Sequence, residues 1–133
     1  MNYELLLRER NLKVTPQRLG ILTLLNDFGH ISVEDLYQKI QKQFTSISLA
    51  TLYKNINAMI ETSLLKEVKI PNMKSKYEII KQPHAHLLCQ SCGSLEDFEM
   101  DMNDINTLLS SKSRFKVHDT DLVFSGICQS CQN

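Results

Sequence analysis

The sequence predicts an α+β fold: an N-terminal winged helix-turn-helix followed by a small α/β domain. Three observations predict it. Apolar residues recur at helical spacing as far as Ile60, the pattern changes to strand-like alternation after Ser63, and residues 84–133 carry two C-x-x-C pairs among short strand-like runs.

The elements follow in order. Thr15 before Pro16 is a helix start, a hydroxyl cap with proline at the first helical position. Leu19, Leu22, Leu25 and Phe28 then recur every three residues as an apolar face, and Gly29 ends the helix. Ser32 and Asp35 resemble a capping box with a short acid, opening a second stripe of Val33, Leu36, Tyr37 and Ile40. After a turn at residues 45–48, Ser48 caps a third stripe with Leu52, Ile56, Met59 and Ile60 facing inward. The other face of that helix holds Thr51, Tyr53, Lys54, Asn55 and Asn57. Residues 65–70 and 76–80 read as a hairpin around Pro71-Asn72-Met73-Lys74, which is the wing. Lys81-Gln82-Pro83 reads as a hinge between domains at residues 1–80 and 84–133. In the second domain, strands are expected at 86–89, 95–98, 115–117 and 122–127, with a helix at 102–109.

The bulk properties narrow the class. The 133 residues allow one domain or two small ones, and a hydrophobic share of 42% is that of a folded protein. No apolar run approaches the ~20 residues that span a bilayer. Met1–Arg10 carries Glu4, Arg8, Glu9 and Arg10 and does not read as a secretory leader, so the expected location is the cytoplasm. Net charge is zero but unevenly spread. Residues 1–83 hold 12 Lys/Arg against 8 Asp/Glu, a balance of +4, and residues 84–133 hold 3 against 7, a balance of −4. A basic half suits phosphates and an acidic half suits cations, although chance produces such splits too.

Cys89 and Cys92 form one C-x-x-C and Cys128 and Cys131 another, with 35 residues between the pairs. Two such knuckles can place four thiolates around one tetrahedral Zn²⁺, a closed site with a structural rather than catalytic role. Gly93 follows the first pair, as a tight knuckle requires. Two redox pairs, or buried unliganded thiols, are the competing readings, but neither pair sits at the strand-to-helix junction of a thioredoxin-like motif.

A second metal site is suggested by His84-Ala85-His86, because residues i and i+2 of a strand project to one face. Asp97 lies on the following strand and Glu78 on the second wing strand. If the N-terminal half folds over the hinge, His30 completes a set of three imidazoles and two carboxylates that suits Fe²⁺ or Mn²⁺. The plainer alternatives are a solvated surface pair and a histidine favoured by a helix C-terminus.

Thr15-Pro16-Gln17-Arg18, Ile47-Ser48-Leu49-Ala50-Thr51-Leu52-Tyr53-Lys54 and His84-Ala85-His86-Leu87-Leu88-Cys89-Gln90-Ser91-Cys92-Gly93 together resemble the ferric uptake regulator family of metal-dependent repressors. The resemblance covers nearly the whole chain. It implies a homodimer with N-terminal winged helices, a C-terminal dimerisation domain, and a third helix that enters the major groove of a double-stranded operator. It implies structural zinc on Cys89, Cys92, Cys128 and Cys131, and regulatory Fe²⁺ or Mn²⁺ on His30, Glu78, His84, His86 and Asp97. Asp97 resembles the peroxide-sensing branch, where iron sensors carry Glu, whereas Glu78 resembles the iron sensors. The further site built on an H-H-D-H run is absent, since Pro83 and Ala85 replace its His and Asp, and His118 reads as a surface residue. DNA contacts are expected from Arg18, Thr51, Tyr53, Lys54 and Asn57, the last two being equally compatible with a solvated helix face.

The resulting expectation is a non-enzymatic repressor that senses peroxide through oxidation at an Fe²⁺ site and controls oxidative-stress genes. Hydrogen peroxide is its only expected small-molecule reactant. An iron-responsive repressor of iron uptake is the first alternative, followed by a C-x-x-C thiol oxidoreductase and a zinc-ribbon interaction module without a DNA role.

Overall fold

The computed structural model describes residues 1–133, which form two compact units, Met1–Ile80 and Lys81–Asn133. The first holds helices α1 (Tyr3–Glu9), α2 (Pro16–Phe28), α3 (Val33–Ile40) and α4 (Leu49–Glu61), with strands β1 (Ile31–Ser32), β2 (Leu65–Val68) and β3 (Lys76–Ile79). The second holds β4 (His84–Cys89), β5 (Leu95–Glu99), α5 (Asn103–Lys112), β6 (Val123–Gly126) and a 3₁₀ turn at Gln129–Cys131.

The helix starts are where hydroxyl caps place them. Thr15, Ser32 and Ser48 each accept a hydrogen bond from the backbone N–H three residues on, at Arg18, Asp35 and Thr51. The inward stripes of α3 and α4 hold: Leu36, Ile40, Leu52, Ile56 and Met59 are completely buried. The stripe of α2 is corrected. Ile21 is fully buried, whereas Phe28 is 50% exposed, with the Lys39 ammonium 4.6 Å from its ring centroid. A period of three drifts off a 3.6-residue face, so by Phe28 the run has rotated outward. Two elements of this unit were not expected. Helix α1, capped by the Asn2 side chain, buries Leu7 in the core. Strand β1 pairs Ile31 with Tyr77 and Ser32 with Lys76, making the wing a three-stranded sheet in the order β1-β3-β2.

In the second unit β4 is central, antiparallel to β5 and parallel to β6. The strand expected at 115–117 is not formed: those residues are irregular, and Phe115 is 71% exposed. Its apolar alternation has no neighbouring strand to satisfy the backbone, so pattern alone does not make a ladder. The strand expected at 122–127 is realised over Val123–Gly126. Only Ala85, His86, Leu88 and Cys89 are buried in this unit, and α5 buries nothing. An apolar core this small is marginal for its length, and metal and association are the usual supplements.

Candidate metal centres and nucleic-acid interface

The end of β4 delivers Cys89 into a loop that turns sharply at Cys92-Gly93. Gly93 has φ +78°, a region that costs a β-carbon, and its N–H donates to the Cys89 carbonyl at 2.9 Å. The parallel pairing of β6 with β4 sets Gly126 opposite Cys89, so Cys128 arrives beside the first knuckle. The 3₁₀ turn then folds Cys131 back, its N–H donating to the Cys128 carbonyl at 3.0 Å.

All four sulfurs lie within 4.8 Å of one another, and none is in a disulfide. A tetrahedron with metal–sulfur bonds of about 2.3 Å has edges of about 3.8 Å, and the Cys92 and Cys128 sulfurs are 3.8 Å apart. The donor set therefore fits zinc. The environment prepares one thiolate in advance: backbone N–H groups of Cys128 (3.3 Å) and Cys92 (3.5 Å) donate to Cys89 Sγ, lowering its pKa to about 6. Cys92 is lowered first by the Ser94 hydroxyl. Cys131 is pushed up to about 12, chiefly through its hydrogen bond with Cys128, because a further negative charge would crowd the cluster. A bound dication removes that penalty. Four sulfurs gathered at one point argue against two separate redox pairs.

The histidine pair lies on the same sheet. His84 and His86 project from one face of β4, their Nε2 atoms 3.1 Å apart and their ring centroids 4.6 Å apart. The register places Asp97 of β5 directly opposite His86, and Asp97 Oδ1 lies 3.6 Å from His86 Nε2 and 3.8 Å from His84 Nε2. His84 Nδ1 is 2.8 Å from the Gln82 carbonyl oxygen, which can only accept. That nitrogen therefore carries the hydrogen and leaves the Nε2 lone pair for a ligand. Two imidazole nitrogens and a carboxylate oxygen, aimed at one point, fit Fe²⁺ or Mn²⁺. Lys81, which the sequence reading assigned only to a hinge, bonds to Asp97 through its ammonium. Nothing in the local pattern marks it, since the pair spans 16 positions.

Within the first unit, the β1–β3 ladder carries His30 alongside Glu78. Their Nε2 and Oε2 atoms are 3.2 Å apart, with Glu78 only 1% exposed. A carboxylate this deeply buried needs a charged or hydrogen-bonding partner. His118, expected at the surface, is exposed.

Of the five expected DNA-contacting residues, Tyr53, Lys54 and Asn57 are exposed on α4. Thr51 is half-buried, and its Oγ1 accepts a hydrogen bond from the Ser48 hydroxyl at 2.9 Å. Arg18 reaches from α2 to α4, donating from Nε to Asn55 Oδ1 at 3.0 Å and from Nη1 to the Lys13 carbonyl at 2.9 Å. Its guanidinium thus braces the exposed helix, a role for Arg18 and Asn55 that spacing did not reveal.

Residues 9–125 match the model of the ferric uptake regulator family. The chain is 32% identical over 127 residues to the peroxide operon regulator of Bacillus subtilis, covering 94% of this chain and 88% of that one. A peroxide stress regulator from Campylobacter jejuni has a similar solved structure, with TM-score 0.78, 33% identity, and coverage of 98% of this chain and 100% of that one. The Vibrio cholerae ferric uptake regulator is similar at TM-score 0.77 and 30% identity, covering 96% and 100%.

Proposed function

Since the chain belongs to the ferric uptake regulator family, we propose that it is a metal-dependent transcriptional repressor that binds operator DNA as a homodimer and is released by peroxide. The observation that carries this reading is the convergence of His84 Nε2, His86 Nε2 and the Asp97 carboxylate on one sheet face. Likeness to peroxide regulators supports the choice of signal.

In this reading the first unit is the DNA-binding domain and the second the dimerisation domain. Tyr53, Lys54 and Asn57, with Thr51, offer the α4 surface to the major groove, and Arg18 holds that helix at a set angle. Lysines of the basic half meet phosphates, which position without specifying. Cys89, Cys92, Cys128 and Cys131 hold structural zinc. His30 and Glu78 supply ligand atoms from the DNA-binding domain, and His84, His86 and Asp97 supply them from the dimerisation domain. Coordination shared by the two sets links domain orientation to metal occupancy, which is a two-state switch. Half-site spacing on DNA then favours the liganded state.

Ferrous iron held there would supply redox chemistry toward hydrogen peroxide, overall a two-electron oxidation in which one peroxide oxygen would replace the hydrogen on a ring carbon of His30 or His84 and the other would leave as water. The oxidised imidazole would be a poor ligand, and repression would end. The zinc thiolates are shielded from this chemistry by closed coordination. A second reading, reversible iron sensing, is favoured by Glu78, which resembles iron sensors at that position.

The deciding experiment loads the zinc-containing dimer with Fe²⁺ or Mn²⁺, adds hydrogen peroxide, and follows DNA binding and peptide mass. A gain of one oxygen on a His30 or His84 peptide, with iron only and with loss of DNA binding, is expected. An unoxidised protein that binds DNA reversibly with iron would replace peroxide sensing by iron sensing. Asp97→Glu is expected to retain metal-dependent DNA binding while losing about tenfold or more of its peroxide response, since a misplaced ligand can cost as much as this.

A further inference from the structure

Asp97 is engaged on both of its oxygens. Oδ2 accepts a hydrogen bond from the Lys81 ammonium, while Oδ1 faces the imidazole nitrogens at 3.6 and 3.8 Å. A carboxylate can bind a divalent cation through one oxygen or through both, and a partner on the distal oxygen decides which. Lys81 is well placed for this. It lies three residues before His84, on the segment whose Gln82 carbonyl also orients that ring, so one short stretch sets two of the three donors that the second unit offers. Its side chain is 49% exposed and that of Asp97 26%, so the pair is neither deeply buried nor fully solvated.

We propose that Lys81 is a positioning residue for the regulatory metal: it holds Asp97 to coordination through one oxygen and keeps a fixed positive charge beside the bound dication. This inference rests on the reading of His84, His86 and Asp97 as ligands. Two consequences follow. The site binds its metal more weakly than its donor set alone would, which suits a regulator that must release and rebind metal. A carboxylate limited to one oxygen also leaves a coordination position open for a small reactant. A unit charge ~6 Å from a dication opposes binding by roughly tenfold even at the dielectric of water, less the screening due to a mobile side chain.

The test titrates the full-length zinc-loaded protein with Mn²⁺, following free Mn²⁺ by its electron paramagnetic resonance signal. Lys81→Met is expected to bind Mn²⁺ about three- to tenfold more tightly than wild type, with a changed spectrum for the bound ion as Asp97 moves to two-oxygen coordination. Lys81→Arg, which keeps the charge, is expected to restore affinity and spectrum. Affinity equal to or weaker than wild type in Lys81→Met, with zinc content and circular dichroism unchanged, overturns the proposal. Tighter binding with an unaltered spectrum overturns the one-oxygen clamp. His86→Ala separates the two levels. If it retains wild-type Mn²⁺ affinity, the metal-site reading itself fails. If it loses Mn²⁺ while Lys81→Met matches wild type, that reading stands and the role of Lys81 falls.

Discussion

The four cysteines differ in how readily they give up a proton, and zinc binding at the proposed four-cysteine site should be measurably pH-dependent. Cys89, lowered to about 6 by two backbone donors, is mostly thiolate at neutral pH, while Cys131, raised to about 12, is protonated until metal displaces its hydrogen. Metal binding near pH 7 therefore releases fewer protons than the four thiols could give. As pH falls, affinity falls, because protons compete for every sulfur. Below about pH 6 Cys89 also holds its proton, so the slope of log affinity against pH should steepen there by about one. Competition with a chromogenic chelator from pH 5 to 8 measures that slope, and a constant slope would show that the Cys89 thiolate is not stabilised in advance. At the second site the decisive atoms are fewer: the Gln82 carbonyl selects the His84 tautomer, and the β4–β5 register selects Asp97.

Helix packing in the first unit depends on small clearances. Gly20 of α2 faces α3 so closely that a β-carbon would lie 3.0 Å from Phe44 Cε2 and 3.1 Å from Ile40 Cδ1. Gly20→Val should destabilise this unit by about 1–3 kcal/mol through overpacking. Urea unfolding followed by circular dichroism checks the value, and unchanged stability would mean that Phe44 and Ile40 move aside freely. The same layer carries α4, whose angle is braced by Arg18 through Asn55. Helix α3, against which Gly20 packs, also packs against α4, so if α4 meets DNA as proposed, part of the loss should appear as weaker operator binding. The wing depends on register as well. With β1 paired to β3, the residue after Gly29 is delivered to Glu78, so a two-residue strand places one histidine.

At the scale of the whole molecule, the second unit leaves large apolar side chains in solvent: Phe98, Leu108, Leu109, Phe124 and Ile127 are 42–56% exposed. Large apolar side chains left exposed in this number suit association, and a unit with only four buried residues gains most from a partner. Paired substitution by Leu108→Glu and Phe124→Glu should convert the proposed homodimer to monomer and weaken operator binding by about tenfold or more, as loss of a second tethered half-site does. Sedimentation velocity measures the first effect and fluorescence anisotropy the second; a dimer that survives both changes would place the interface elsewhere. No helix is long and apolar enough to cross a membrane.

Much was legible in one dimension because its physics is local. A hydroxyl cap, a proline at the first helical position and a stripe of leucines act within a few residues, so Thr15, Ser32 and Ser48 announced their helices. Two C-x-x-C pairs and an H-x-H pair likewise carry their geometry in their spacing. Helix α1, by contrast, is secured by burial of Leu7 in a core built from elsewhere, and the apolar run at 115–117 found no strand to pair with. Arg18 with Asn55, and Lys81 with Asp97, are contacts across 37 and 16 positions respectively, for which no periodicity exists. The sequence by itself determined the capped helices, the pairing of the cysteines as two C-x-x-C knuckles, and the family. Only the tertiary structure decided which side chains stand against Asp97 and the exposed helix, because those contacts depend on distances between atoms far apart along the chain.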